Sequence, residues 1–293
     1  MMTCRFSQVF PYQIVCSEKK KAGRKEAPIR KFLATLLFAC LVILLSSANN
    51  SAMAEINDIN SAINKAGRQR MLSQRMAKAY LQIGQKIDTQ RSTKILESSV
   101  ALFDQQLVEL KNYAPTPETR NTYAKLEKTW LTYKDVLIGI APGREGAKKV
   151  MEISDAVLQL SHEGTLHLVS LSKSESGPLV GVAGRQRMLS QRMAKLYQAI
   201  NWGVASANET AELGKARGEF TTGLKALSSA PGTSQAIRGE LELARQQWMF
   251  FETALGNGGS DKAMQATTVA TTSERLLDAM DRITLLFEKM EAK

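Results

Sequence analysis

Thirteen residues, AGRQRMLSQRMAK, occur twice without a single change, at positions 66–78 and 183–195. Identity of that length at one fixed offset means that the chain contains a duplicated unit, and a duplicated unit restricts the fold to two related bodies. Elsewhere the copies have drifted. At the same offset Phe103 answers Phe220, Leu107 answers Leu224 and Leu110 answers Leu227, while Trp130 meets Trp248 only after a one-residue insertion. Within this chain, change was tolerated more readily outside the repeated segment than inside it.

The first 54 residues are of another kind. Basic residues between Lys19 and Lys31 lead into the apolar run 32–45, and Ala52-Met53-Ala54 forms the A-x-A pattern of a signal-peptidase site. Residues 1–54 are therefore expected to be a signal peptide, the mature chain to begin at Glu55 and the protein to be exported to the periplasm. The alternative is an uncleaved membrane anchor, but the apolar run is shorter than the roughly 20 residues that a spanning helix needs. All three cysteines, Cys4, Cys16 and Cys40, precede the expected cleavage point, so neither disulfides nor thiol chemistry is expected afterwards. Eight of the 39 basic and two of the 28 acidic residues also lie there, which brings the formal net charge from +11 down to +5. That balance does not favour a nucleic-acid partner.

From Glu55 onward apolar residues recur at spacings of three and four, with no sustained alternation, which predicts helix throughout. Breaks are expected at 88–92, 115–117, 142–143, 177–178, 207–210, 231–232 and 256–259, giving four helices per copy. At Gly177-Pro178, glycine is expected to end one helix and proline to start the next. The predicted fold is all-α, two tandem antiparallel four-helix bundles covering 55–174 and 175–293. The first helix is expected near 56–87, a length of about 48 Å.

A three-four register along that helix passes through Ile63, Ala66, Arg70, Ser73, Ala77 and Tyr80, so Arg70 interrupts an apolar or small seam. In the second copy Arg187 does the same between Ala183 and Ser190. Between Asp58 and Asp88 stand six basic residues and no carboxylate; between Glu175 and Glu209 stand four, again without an acid. These helices cannot neutralise their own arginines, and a buried unpaired guanidinium costs several kcal/mol. Either another element donates carboxylates or an external anion completes the site. Guanidinium offers a planar fork of donors suited to nitrate, nitrite or a small carboxylate. Small residues beside it, Gly67 and Ser73 with their equivalents Gly184 and Ser190, would let two helices approach. If the copies pair about a pseudo-twofold axis, Arg70 and Arg187 would meet across it and clamp one anion.

The run INKAGRQRMLSQRMAK at 63–78 resembles the N-terminal sensor domain of type IV pilus chemotaxis transducers of the PilJ kind. It is also similar to the P-box of the NarX and NarQ nitrate/nitrite sensor kinases, a pattern of the form AG-x-x-RM-x-S-x-R in the first helix of a periplasmic four-helix bundle. The resemblance implies that Arg70 and Arg187 bind the anion at a symmetric interface, and that Arg75 and Arg192 support them. Nothing after the second bundle reads as a membrane helix, kinase core or signalling coiled coil, so a membrane receptor or sensor kinase is expected to supply the output. Two units in one chain are expected to imitate a receptor dimer, either within the chain or through a homodimer.

Two other classes compete with this reading. In the first, the segment only packs helices, its arginines meeting acids such as Glu97, Asp104 and Glu109, and the protein is a ligand-free scaffold or adaptor for a receptor or pilus component. Arg68 and Arg185 lie off the seam and are expected to be solvated. The second class is an enzyme, and the residues oppose it. His162, Glu163 and His167 form HExxxH, whose histidines point about 140° apart on a helix and are expected on its solvated surface. No catalytic residue, cofactor or metal ligand is expected. Met71, Leu72, Met76, Trp130 and Trp248 are read as core.

Overall fold

The computed structural model describes residues 56–256 and 261–290, which belong to one compact unit, Met53–Lys293. The expected signal peptide and its alternative anchor lie outside the described residues. Among those described, eight helices and no strand are present: α1 (Ile59–Gly84), α2 (Thr89–Tyr113), α3 (Pro117–Gly139), α4 (Arg144–Leu171), α5 (Ser176–Trp202), α6 (Glu209–Ser228), α7 (Gln235–Gly256) and α8 (Lys262–Glu288). None is long and apolar enough to cross a membrane.

Helix ends follow local chemistry. Asp58 caps α1 by accepting from the Ser61 amide at 2.9 Å, and Thr116 caps α3, with Pro117 opening the helix. Asp261 caps α8 by accepting from the amides of Ala263 and Met264. After α1, Lys86 and Asp88 adopt positive φ and turn the chain into α2. The first helix therefore stops at Gly84, short of the expected Ile87, and spans about 39 Å at 1.5 Å per residue. One boundary differs in kind. Helix α4 ends at Leu171 and α5 begins at Ser176, so Gly177 lies inside the first turn of α5 instead of closing α4. Pro178 is tolerated there because the first-turn amides have no intrahelical acceptor.

In each copy the first helix packs on the second and fourth, and the third on the fourth, which makes two antiparallel four-helix bundles. The most extensive packing of all is between α1 and α5, so the bundles lie side by side and share one continuous core. This places α1 and α5 at the centre. From Ala62 to Gln82 only Lys65, Arg68 and Arg75 are even half-exposed. The core of each bundle holds a stacked aromatic pair, Phe103 on Trp130 and Phe220 on Trp248, at centroid distances of 4.1 and 4.5 Å.

Candidate functional site

Helices α1 and α5 cross at their glycines. A Cβ on Gly184 would stand 3.7 Å from the Gly67 Cα and 3.3 Å from the Nη2 atoms of both Arg70 and Arg187. The repeated segments thus bring the two guanidinium groups to one place within a single chain. Arg70 and Arg187 are 2% and 0% exposed. Their neighbours then differ.

Arg187 Nη1 donates to Asp281 Oδ1 at 2.5 Å, and Nη2 donates to the Asn64 carbonyl and side-chain oxygens at 3.1 and 2.7 Å. Arg68 donates to the same Asp281 oxygen at 2.9 Å. Burial alone would raise the Asp281 carboxyl, but the two guanidiniums outweigh it and hold the group below its ordinary range. Arg70 has no ion pair among the described residues. Its Nη1 meets His162 Nδ1 at 3.3 Å and its Nη2 donates to the Gly181 carbonyl at 3.2 Å. Burial, then Arg70 and Arg185, push His162 down to about 4, so its ring is neutral at pH 7. Guanidinium has no acceptor, hence Nδ1 accepts and the ring proton resides on Nε2. Burial, then Arg185 and Arg187, lower Arg70 to about 9, which leaves it charged at neutral pH.

Beside Arg70 a cavity of about 260 Å³ opens between α4, α5 and α6. It is lined by Arg70, His162, Arg185, Arg192 and Lys215, by Glu212 and Glu219, and by the apolar side chains of Leu158, Met188 and Leu189. Arg185 donates to Glu219 at 2.6 Å, and Arg192 donates to Asp155 at 2.8 Å and to Glu212 at 3.3 Å. Arg70 therefore supplies the interior positive charge of this cavity that no carboxylate answers.

The other residues of the repeated segment hold the two copies together. Arg75 and Lys78 donate to Glu274 of α8, while Arg192 and Lys195 donate to Asp155 of α4, so each copy receives its acid from the other. Gln74 donates to the Ser154 carbonyl and Gln191 to that of Ser273, fixing the same register on both sides. Burial pulls Lys78 and Lys195 down to about 8 each, against the opposing pull of Glu274 and Asp155.

Several sequence expectations change here. Arg187 and Arg75 are occupied by Asp281 and Glu274, so neither is free for a guest; Arg192 is paired as well, although it borders the cavity. The hydroxyls of Ser73 and Ser190 donate to the carbonyls of Arg70 and Arg187 in their own helices at 2.8 and 2.7 Å, which turns them away from any ligand. Gly67 and Gly184 serve the helix crossing. The acids are not those expected: Glu109 pairs with Lys65, Asp104 with Lys134, and Glu97 is exposed. Arg68 and Arg185 are not simply solvated, since each is ion-paired. His162 is half-buried and not freely solvated, because α4 packs on α1 and brings its ring onto Arg70. Lys78 and Lys195 were missed although they close the identical segment.

A family model described as the type IV pili methyl-accepting chemotaxis transducer N-terminal domain, PilJ, matches residues 52–152 and again 169–279. The chain belongs to the PilJ family. It carries two copies of the domain, and the family is a sensory one that acts through signalling partners and not through catalysis. Among curated proteins and among solved structures, nothing matches. No group of side chains suited to a metal ion is present among the described residues.

Proposed function

We propose that this PilJ-family protein is an exported, periplasmic sensor that takes up a small oxyanion, of the nitrate or nitrite kind or a short carboxylate, in the cavity beside Arg70. One observation carries the reading: Arg70 is 2% exposed and forms no ion pair among the described residues, its Nη atoms meeting only His162 and the Gly181 carbonyl. A desolvated guanidinium in that position gains strongly from an anion. The symmetric clamp is replaced by an asymmetric one, in which Arg70 makes the main contact, Arg185 assists and Arg187 stays with Asp281. A membrane receptor or sensor kinase reading the bundle surface would carry the signal onward.

Calorimetric titration of the mature protein with nitrate, nitrite and acetate tests this reading. Binding that is lost in Arg70→Ala and weakened in Arg70→Lys, which keeps the charge but not the fork, supports it. No heat and no thermal shift with any of these anions would sink it. That result would favour a ligand-free scaffold, for which the reciprocal ion pairs of Glu274 and Asp155 already provide a purely structural use of the repeated basic residues. Export is tested separately, by N-terminal sequencing of the periplasmic protein, with Glu55 expected first.

A further inference from the structure

The register that pairs Ser154 with Ser273 also pairs His162 with Asp281, and the repeated segment pairs Arg70 with Arg187 and Arg185 with Arg68. In the second copy two guanidiniums hold the Asp281 carboxylate, Arg187 at 2.5 Å and Arg68 at 2.9 Å. In the first copy the same two guanidiniums stand without that carboxylate. A neutral histidine occupies the place of the aspartate, and the cavity lies next to it.

Building on the oxyanion reading above, we infer that the ligand is a small organic monocarboxylate, and that Asp281 is a built-in occupant which fills the twin site permanently. The second copy shows what this pair of guanidiniums holds. Arg185 and Arg192 are answered by Glu219 and Glu212 and Lys215 is exposed, which leaves Arg70 as the buried cation of the lining without a carboxylate. The apolar patch within a mostly polar lining suits a short organic body. Leu158, Met188 and Leu189 offer nothing to the outer oxygens of an inorganic anion but cover a short hydrocarbon tail. A volume of about 260 Å³ holds several heavy atoms beyond a carboxyl group. Residue 162 is thus the specificity-determining position: histidine leaves Arg70 without an internal carboxylate, and aspartate would supply one.

The test is titration of the full mature chain with acetate, propionate, butyrate and nitrate, in the wild type and three variants. The wild type is expected to bind one carboxylate per chain, more tightly as the tail lengthens to butyrate, and at least tenfold more tightly than nitrate. His162→Asp should abolish binding with its helical circular dichroism and melting temperature retained, whereas His162→Gln should still bind. Asp281→Ala should melt lower, and acetate should restore its melting temperature where chloride at equal ionic strength does not. Nitrate binding as tightly as butyrate, with Arg70 still required, would overturn the carboxylate inference and leave the oxyanion reading standing. Undiminished binding in folded His162→Asp, or equal rescue of Asp281→Ala by chloride, would overturn the assignment of Asp281 as a surrogate ligand. Absence of any binding to the wild type would remove both readings.

Discussion

The two copies present the same thirteen residues to one another and solve the same electrostatic problem in different ways. Around Arg187 the solution is internal, with Asp281 and the Asn64 oxygens accepting from its Nη1 and Nη2. Around Arg70 the donors meet only a neutral imidazole and a backbone carbonyl, beside an open cavity. A buried cation is tolerable when paired and expensive when not, so the second half gains stability at this position that the first half lacks. Duplication makes such a division possible: one copy can keep the architecture while its twin keeps the opening.

Removing acids from the two sides should expose this difference. Glu274 is 5% exposed and neutralises Lys78, which is fully buried, so Glu274→Ala should cost about 3–5 kcal/mol in urea unfolding. The equivalent Asp155→Ala should cost less, on the order of 1–3 kcal/mol, because the Asp155 side chain is 44% exposed and water can partly replace it. Equal losses would remove the asymmetry.

A second pair of changes addresses the arginines directly. Asp281→Ala strands Arg187 and should destabilise by about 2–4 kcal/mol, whereas His162→Ala removes only a neutral contact and should cost roughly 1 kcal/mol or less. Tyrosines at equivalent positions differ in the opposite direction, the first copy holding the better-satisfied hydroxyl. The buried Tyr80 hydroxyl donates to the Ile140 and Ala141 carbonyls at 3.0 Å, so Tyr80→Phe should lose about 1 kcal/mol. Tyr197 is half-buried, and Tyr197→Phe should change the unfolding midpoint little.

The effect of acid has a sign that separates the copies. His162 is lowered to about 4 in the folded chain from an ordinary 6.5, so between those values the unfolded chain binds a proton that the folded chain does not. Stability should therefore fall as pH drops from about 6.5 to about 4, and His162→Gln should flatten that slope. Asp281 is held below its ordinary 3.8, so its contribution persists through that window and is lost only at lower pH. Thermal unfolding at stepped pH resolves the two windows.

Much of this was legible beforehand for a definite reason. Helical class and the four-plus-four arrangement follow from apolar spacing and turn residues, which are local properties. Arg70 and Arg187 stood out because a cation in an apolar register contradicts simple packing. Lys78 and Lys195 did not stand out, because a single-seam reading assumes one buried face. Helices enclosed on every side follow another rule: their polar residues, Gln74, Lys78, Gln191 and Lys195 among them, are buried and matched one by one to neighbours. The acids of those matches lie from 37 to 199 positions away along the chain, and no local pattern links them.

From its sequence alone the chain determined its duplication, its helices and the excess of positive charge on the two repeated segments, since each is a property of residues near one another along the chain. Only tertiary structure decided which arginine is neutralised and which faces a cavity. That outcome depends on whether residue 162 or residue 281 carries a carboxylate, and on α4 and α8 packing in register against α1 and α5 so that the difference falls directly on a buried guanidinium.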